Sequence, residues 1–230
     1  MLHRIERKRQ RSWVNPYRAR LRDFPGKLFS GEQVDEEKEV MAAVLTAAPR
    51  IFCEIGSGSG GHLLDFAQRE VMALHVGFEL RYKRCVRTLE KAQARGLENL
   101  MVLQAPGRYM PLLLREESVS GIFVNFPDPW IKNRWRKHRV LSRRFLNETW
   151  PLLVPEGFIS VKTDNAEYFE EFLSFVNEDE RFSIAEITRD LAQSDYNGQN
   201  IETEFETLFR TKGKSISYVL LKKDKESNDA

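Results

Sequence analysis

The chain has 230 residues, of which 41% are hydrophobic and 30% are charged, and its formal net charge is +2. This length suits one domain with a substantial core, and no apolar run approaches the twenty residues that a membrane span needs. Two cysteines and four scattered histidines give neither a disulfide framework nor zinc-ligand spacing, so we expect a cytoplasmic protein without a bound metal.

The charges are segregated into two basic segments with aromatic residues in or beside them. Residues 3–22 hold eight Lys or Arg against the single acid Glu6, and residues 131–139 hold five against none. The aromatic residues are Trp13, Tyr17, Trp130 and Trp135. A solvated surface or a disordered tail is the alternative, but cations interleaved with aromatic rings favour a polyanionic partner whose bases can stack.

Residues 1–32 are polar, basic and interrupted by prolines, which predicts an N-terminal arm with little regular structure that is mobile without its partner. Apolar residues at helical spacing then predict a first helix over residues 33–48. We place the folded domain at residues 33–222 and a polar C-terminal tail at residues 223–230.

From residue 50 onward, short apolar runs alternate with longer amphipathic ones, and this alternation predicts a doubly wound α/β fold with a mostly parallel sheet. Seven strands are predicted, at residues 51–55, 71–79, 100–104, 119–126, 158–163, 182–188 and 215–221. The predicted helices cover residues 62–70, 81–95, 143–153 and 167–177. No full crossover helix separates the last two strands, so we expect them to pair antiparallel.

A glycine-rich segment, residues 54–61, closes the first of these strands and opens a helix. Its spacing satisfies the GxGxxG pattern, so a dinucleotide and S-adenosylmethionine are both candidate ligands. Glu54 favours the second, because a carboxylate would repel a pyrophosphate but attract the sulfonium and ammonium groups of the methyl donor. Glu79, at the end of the next strand, is expected to bind the ribose or to stabilise the following helix.

Residues 126–130, Phe-Pro-Asp-Pro-Trp, join a buried strand to the second basic segment, and we refer to them as the hook. Proline biases the preceding residue toward extended geometry, so we predict extended backbone at Phe126 and Asp128. The Asp128 carboxylate, the Trp130 ring and a cationic loop come together where a parallel strand ends, and open α/β sheets bind ligands at that edge. The alternative is a plain Pro-Asp-Pro turn.

Five motifs together resemble the bacterial tRNA (guanine-N7)-methyltransferases, a family of the class I, S-adenosylmethionine-dependent fold. The motifs are Glu54-Ile55-Gly56-x-Gly58-x-Gly60, Gly77-Phe78-Glu79, Phe126-Pro127-Asp128-Pro129-Trp130 with Lys132, Lys162-Thr163-Asp164, and Thr203-Glu204-Phe205-Glu206. The last three are more specific than the generic glycine loop. The resemblance implies a Rossmann-like sheet and transfer of a methyl group from S-adenosylmethionine to N7 of the variable-loop guanine of tRNA, position 46.

The resemblance also implies roles for individual residues. The implied donor-binding residues are Glu54, Gly56, Gly58, Glu79, Ala105 and Asp128. The implied substrate contacts are Lys132, Asp164, Thr203, Glu204, Phe205 and Glu206. Asp128 is in addition the expected catalytic or guanine-holding residue, and neither a metal nor an obligate protein partner is implied. The chain departs from the family pattern at Pro106, Ile131 and Trp135, and Pro106 offers no side-chain hydrogen bond near the adenine.

Structural roles compete with several of these assignments. Asp164 is also a candidate cap for the helix that follows it, and Thr203 with Glu206 fits a capping box. Three nearby apolar residues are expected in the core, and these are Phe205, Leu208 and Phe209. Besides the tRNA enzyme, two alternatives stay open: a methyltransferase for another nucleic-acid nitrogen, and an RNA-binding protein that has lost donor binding. A nicotinamide dehydrogenase is disfavoured by the acid before the glycine loop and by the basic segments.

Overall fold

A computed structural model describes residues 15–30 and 34–224, with the backbone alone described for residues 34–38. Within these ranges the chain forms an eight-stranded, mostly parallel sheet with helices packed on it. Three parts of the predictions lie outside the described residues: residues 1–14 and 31–32 of the arm, including Trp13; residue 33 at the predicted start of the first helix; and residues 225–230 of the tail.

The central strands are apolar and buried, as expected for a parallel sheet that is covered on both faces. In chain order the strands are β1 (Leu28–Ser30), β2 (Ile51–Ile55), β3 (Leu74–Phe78), β4 (Leu100–Gln104), β5 (Val119–Asn125), β6 (Leu153–Thr163), β7 (Phe182–Thr188) and β8 (Ser217–Lys223). Their order across the sheet is β1-β4-β3-β2-β5-β6-β8-β7. β8 runs antiparallel to both of its neighbours, β6 and β7, so the predicted antiparallel pairing of the last two strands is confirmed.

The helices connect successive strands and carry the apolar faces that cover the sheet. In chain order they are α1 (Pro16–Ala19), α2 (Val34–Ala47), α3 (Gly61–Arg69), α4 (Tyr82–Ala94), α5 (Met110–Leu113), α6 (Arg143–Thr149), α7 (Ala166–Asn177) and α8 (Glu204–Thr211). Short 3₁₀ turns lie at residues 20–23, 107–109, 133–138, 150–152, 191–193 and 195–198.

Two apolar clusters hold the helices against the sheet. The larger cluster combines strand residues such as Val76 and Ile122 with residues of α2, α6 and α7. The smaller cluster contains Leu64 of α3, Leu89 of α4 and Leu21 of the N-terminal segment. The separation of the two helix groups into two clusters confirms the doubly wound α/β fold.

The structure differs from the predicted strand count and arm boundary at residues 15–30. Leu28, Phe29 and Ser30 form β1, an eighth strand that pairs parallel with β4 at the edge of the sheet. Leu21, Leu28 and Phe29 are all at most 3% exposed, so this part of the predicted arm is packed on the domain. Three residues are too few to show a strand pattern in sequence, and the burial of β1 comes from its pairing with a distant strand.

The chain reverses its winding direction at β2, which lies between β3 on one side and β5 on the other. Ligands of open α/β sheets bind at such a switch point, beyond the carboxyl ends of the strands. The glycine-rich segment follows β2 and the hook follows β5, so the topology brings the two predicted site segments side by side. Separately, among the described residues no helix is long and apolar enough to cross a membrane.

Candidate active site at the carboxyl edge of the sheet

A cavity of about 720 Å³ lies beyond the carboxyl ends of β2, β3, β4 and β5. The residues that line it just after these strands are Gly56, Glu79, Ala105, Pro106, Phe126 and Asp128. Asn125, at the end of β5, lines the cavity between the two site segments. The volume suits a ligand the size of a nucleoside with an attached amino acid.

The glycine-rich segment turns sharply into α3 through three residues with left-handed backbone. Gly56, Gly58 and Gly60 have φ of +75°, +59° and +79°, which glycine adopts without strain. The backbone N–H groups of Gly56 and Ser57 both donate to the carbonyl oxygen of Phe78, at 2.8 and 3.1 Å. At Gly60 an added Cβ would lie 2.5 Å from the Thr88 methyl group, so this position excludes any side chain.

Glu54 is a buried carboxylate at the base of this loop, with 3% of its surface exposed. Its Oε1 accepts a hydrogen bond from Asn125 Nδ2 at 3.0 Å, and its Oε2 lies 3.3 Å from His62 Nδ1. Burial alone would raise the pKa of Glu54, but the neighbouring His62, the Asn125 amide and the Lys162 ammonium together outweigh it and lower that pKa. Glu54 therefore contributes a negative charge beside the cavity at neutral pH.

Glu79 ties the glycine loop to the start of α4. Its Oε2 accepts from the Gly58 N–H at 3.0 Å and its Oε1 accepts from the Arg81 N–H at 2.8 Å. The second contact satisfies a free N–H where α4 begins, so the predicted helix-stabilising alternative is present in the structure. Each oxygen keeps a further lone pair, so ligand binding and loop support are compatible.

Four buried side-chain atoms around the glycine loop have no hydrogen-bond partner among the described residues. They are Glu54 Oε2, Ser57 Oγ, His62 Nδ1 and Asn125 Oδ1. The first and third are close, but their orientation does not make a hydrogen bond. Buried polar atoms of this kind each cost about 1–3 kcal/mol unless a ligand or solvent satisfies them. The set offers acceptors to an ammonium group and fits the amino-acid end of S-adenosylmethionine.

The hook carries two non-glycine residues with left-handed backbone, Phe126 with φ of +51° and Trp130 with φ of +40°. The prediction of extended backbone at Phe126 is therefore wrong. The Phe126 N–H donates to the carbonyl oxygen of Lys162 on β6 at 2.8 Å, and this bond turns the chain out of the sheet directly before Pro127. Such residues cost about 1–3 kcal/mol each and cluster at functional sites.

Asp128 is exposed and lines the cavity, and no described residue forms a hydrogen bond or ion pair with its carboxylate. Beside it, Trp130 packs edge to face on Trp135 with ring centroids 5.9 Å apart. The Lys132 ammonium and the Arg134 guanidinium lie 5.0 and 4.9 Å from the Trp135 ring centroid. Residues 131–138 of the second basic segment thus form an exposed layer of cations and aromatic rings at the cavity mouth.

A buried ion network joins β6 to α8, the helix whose Phe205 lines the cavity. Glu206, which is 0% exposed, accepts from Lys162 Nζ at 3.0 Å, from Asn200 Nδ2 at 2.7 Å and from Arg210 Nη2 at 2.6 Å. Lys162 Nζ also donates to the carbonyl oxygen of Ile201 at 2.8 Å. Burial lowers the pKa of Lys162, while the charge of Glu206 opposes this shift.

Known proteins similar to this chain are methyltransferases, in agreement with a site suited to a methyl donor. A family model described as "Putative methyltransferase" matches residues 48–219. A bifunctional glycosyltransferase/methyltransferase from Fusobacterium nucleatum is 30% identical over 216 residues, 93% of this chain and 33% of that protein, so the chain spans about a third of that relative. A tRNA (guanine-N(7)-)-methyltransferase from Mycoplasma genitalium is 34% identical over 177 residues, 76% of this chain and 84% of that protein.

The chain belongs to the tRNA (guanine-N(7)-)-methyltransferase family. The fold of this family member is also found in a solved structure of the 16S rRNA methyltransferase KamB. That structure superimposes with a TM-score of 0.61, covers 86% of this chain and 96% of its own, and is 16% identical. At this identity the likeness shows the methyltransferase fold alone. The family model and the relative from Mycoplasma genitalium confirm the family resemblance that the motifs indicated.

The predicted donor-binding residues of this family member fall into two groups. Gly56, Glu79, Ala105 and Asp128 line the cavity directly. Glu54 and Gly58 lie one residue behind its wall, since Glu54 binds the lining residue Asn125 and Gly58 binds Glu79. Pro106 lines the cavity and is followed by a 3₁₀ turn, so it offers the cavity only backbone and apolar groups.

The predicted substrate contacts are spread more widely. Phe205 lines the cavity, and Lys132 lies in the exposed loop beside the hook. Glu204 is exposed on α8, 3.4 Å from Lys91 Nζ. For Thr203 and Glu206 the structure favours the structural alternative: Thr203 Oγ1 caps α8 by accepting from the Glu206 N–H at 3.0 Å, and the Glu206 carboxylate is buried in the ion network.

Two predictions of a structural role were wrong, one for Asp164 and one for the apolar residues of α8. Asn165, not Asp164, caps α7, because Asn165 Oδ1 accepts from the Tyr168 N–H at 2.8 Å. Asp164 instead pairs with Lys214 at 2.5 Å near the surface. Of the predicted core residues of α8, Phe205 is 45% and Leu208 44% exposed, because the buried face of this short helix is occupied by Glu206. The third, Phe209, is half-buried, with its ring centroid 5.5 Å from that of Phe126.

Sequence reasoning missed three residues that shape the site: Asn125, Lys162 and His62. Lys162 was part of a quoted motif and Asn125 directly precedes the hook, and the two residues face each other across the β5–β6 register. The available signal was a polar side chain in each of two otherwise apolar strands. His62 had no such signal, since its pairing with Glu54 depends on how α3 packs on β2. Among the described residues no cluster of three or more His, Cys, Asp or Glu could hold a metal ion.

Proposed function

We propose that this chain transfers the methyl group of S-adenosylmethionine to N7 of the variable-loop guanine of tRNA, position 46, in the cytoplasm, forming 7-methylguanosine. One observation carries the proposal: the glycine loop and the Pro-Asp-Pro hook open into a single cavity, and the cationic and aromatic loop lies at its mouth. The relatives named tRNA (guanine-N(7)-)-methyltransferase support the substrate.

The residues around the glycine loop suit the donor chemically. S-adenosylmethionine supplies an electrophilic methyl group on a positively charged sulfur. The buried charge of Glu54 and the unsatisfied oxygen of Asn125 would hold the ammonium group, because both are acceptors directed at one region. Glu79 would accept from the ribose hydroxyl groups. Ala105 and Pro106 would contact the adenine through backbone and apolar atoms.

The acceptor needs no general base, because guanine N7 carries an in-plane lone pair and no proton. As the bond between N7 and the methyl carbon forms, the carbon–sulfur bond breaks and S-adenosylhomocysteine leaves, so positive charge moves from sulfur to the purine ring. Catalysis then depends on holding N7 in line with the methyl group, and such orientation contributes roughly 7–11 kcal/mol in favourable cases. The hook is the segment placed to do this.

Asp128 is the residue on the hook that can bind the guanine N–H edge or stabilise the developing charge of the ring. Its carboxylate has no partner among the described residues and faces the cavity, so it is available to the substrate. Asp128→Asn retains the shape and removes the charge. We expect kcat at saturating tRNA to fall about 10²-fold or more, as for other lost transition-state contacts, and an unchanged kcat would eliminate this role.

The loop beside the hook would bind the RNA backbone and stack on bases. Lys132 and Arg134 flank the exposed Trp135 ring, a combination that serves phosphate neutralisation and base stacking. Binding should therefore weaken steeply as salt rises, with the slope reduced by about one for Lys132→Met. A slope near zero for the wild type would exclude phosphate contacts as the source of affinity.

The experiment that tests the function is methyl transfer from labelled S-adenosylmethionine to unmodified tRNA transcripts, followed by nucleoside identification. Labelled 7-methylguanosine that disappears when the variable-loop guanine is replaced is the expected result. A different labelled nucleoside would make the chain a methyltransferase for another nucleic-acid nitrogen. Tight tRNA binding without transfer and without donor binding would make it a non-catalytic RNA-binding protein.

A further inference from the structure

Arg139 is the last residue of the second basic segment, and its surroundings differ from those of the other cations there. Its side chain is only 6% exposed, whereas those of Lys132, Arg134 and Lys137 belong to exposed residues. A buried guanidinium is not available to grip an RNA backbone from outside. Its contacts within the protein therefore indicate a role other than binding the RNA backbone.

Three contacts fix the Arg139 side chain. Nε donates to the carbonyl oxygen of Pro129, inside the hook, at 2.7 Å. The guanidinium pairs through Nη1 with the Glu171 carboxylate on α7 and lies 4.7 Å from the ring centroid of Tyr168, also on α7. The Tyr168 hydroxyl accepts from the Leu141 N–H at 2.8 Å, which ties the same helix to the chain just beyond Arg139.

The hook needs such support because it cannot hold itself. Pro127 and Pro129 have no N–H, so the five-residue hook has few hydrogen bonds of its own to make. The strained residues Phe126 and Trp130 bracket it, and strained backbone persists only when its surroundings fix it. The Phe126 N–H holds the first end to β6, and Arg139 holds the other end to α7.

We infer that Arg139 is a positioning residue for methyl transfer, which holds the Pro129 carbonyl and thereby aims Asp128 into the cavity. The inference deepens the proposed function and rests on it for the kinetic part. Arg139 also lines the cavity. Its guanidinium is engaged by Pro129, Glu171 and Tyr168, so we assign its effect to the hook and not to contact with the methyl donor or the base. Loss of its contact should misplace Asp128, and displacements of about 1 Å can cost 10²-fold in rate.

Arg143 provides a matched control. It also pairs with a carboxylate at the end of α7, Glu178, and its guanidinium lies 5.0 Å from an aromatic ring of α7, that of Phe175. It differs from Arg139 in making no contact with the hook. Replacing Arg143 therefore removes an ion pair and a ring contact with the same helix without releasing Pro129, in a more exposed setting, since the Arg143 side chain is 55% exposed and that of Arg139 is 6% exposed.

The test compares Arg139→Lys, Arg139→Gln and Arg143→Gln by steady-state kinetics and by ¹⁹F NMR of 5-fluorotryptophan protein, with the Trp130 resonance assigned from Trp130→Phe. For the Arg139 variants we expect kcat to fall about 10- to 100-fold, a KM for tRNA within threefold of wild type, and a shifted or broadened Trp130 resonance. Arg143→Gln should change neither kcat nor the resonance.

Two results would overturn the inference. One is a folded Arg139 variant with an unchanged Trp130 resonance. The other is a raised KM with a reduced salt slope and an intact kcat, which would make Arg139 a phosphate contact. If the Arg139 variants do not fold, Glu171→Met decides, because it keeps the Arg139 side chain and removes the ion pairs of Glu171 with Arg139 and Arg136. A shifted resonance supports the role and an unchanged one refutes it. A wild type that methylates no tRNA refutes the proposed function, while the NMR comparison still tests the hook.

Discussion

Replacement of Glu206 by alanine separates a structural role for this residue from direct contact with the substrate. Glu206 is fully buried and receives hydrogen bonds from Lys162, Asn200 and Arg210. In Glu206→Ala the Lys162 ammonium, itself 4% exposed, stays buried without its counter-charge. Breaking a buried pair in this way costs about 3–5 kcal/mol.

The assay is thermal unfolding at neutral pH. For a chain of this size, one kcal/mol shifts Tm by about 2–4 °C, so Glu206→Ala should lower Tm by roughly 6–20 °C. The double variant Lys162→Met with Glu206→Leu removes both charges and should recover much of the loss. The control is Glu204→Ala in the same helical turn, where an exposed ion pair is lost and the change should stay within about 1 kcal/mol.

A Glu206→Ala protein whose Tm lies within 3 °C of wild type would refute this reasoning. If its KM for tRNA rose at the same time, Glu206 would be a substrate contact. If the double variant does not recover Tm, the buried ion network is not the source of the stability lost in Glu206→Ala.

Two further predictions concern stability and donor binding. Burial lowers the pKa of His75 below its ordinary value of 6.5, so the unfolded state is protonated before the folded state as the pH falls. The contribution of neutral His75 to stability should therefore be complete above pH 6.5 and decrease below it. In urea titrations between pH 5 and 7, the free energy of unfolding of His75→Phe should fall less steeply with decreasing pH than that of the wild type. An unchanged slope would contradict this. Gly60→Ala places a Cβ 2.5 Å from Thr88 at a φ of +79°, so calorimetry should show that the variant binds S-adenosylmethionine at least tenfold more weakly. The control is Gly198→Ala, where an added Cβ meets nothing within 4 Å, and this variant should bind the donor as the wild type does. Equal affinities would contradict it.

The parallel sheet was predictable because its central strands are short, buried and mainly apolar. β2, β4 and β7 have the predicted bounds, and the last two strands pair as predicted. β1 was not predictable, because three residues show no period and its burial depends on pairing with β4. Asp164 and Asn165 are equally good caps by type, and only the backbone geometry at the start of α7 decides between them.

The candidate site was predictable where adjacent residues carry the chemistry, as in the glycine loop and the hook. Contacts between distant segments were not. Arg139 reads as one of five equivalent cations in sequence, and only packing of α7 against the hook makes it a buried partner of Pro129. Phe126 shows the limit of local rules, since its bond to the Lys162 carbonyl overrides the bias that Pro127 imposes.

We propose that this chain methylates N7 of a tRNA guanine, and replacement of that single atom tests the proposal most directly. We would compare wild-type tRNA with tRNA that carries 7-deazaguanine at the variable-loop position, which keeps the pairing edge and replaces N7 by carbon. Both RNAs should bind with affinities within threefold of each other, and only the unmodified one should accept label from S-adenosylmethionine. Methyl transfer to the 7-deaza RNA at a similar rate would contradict it.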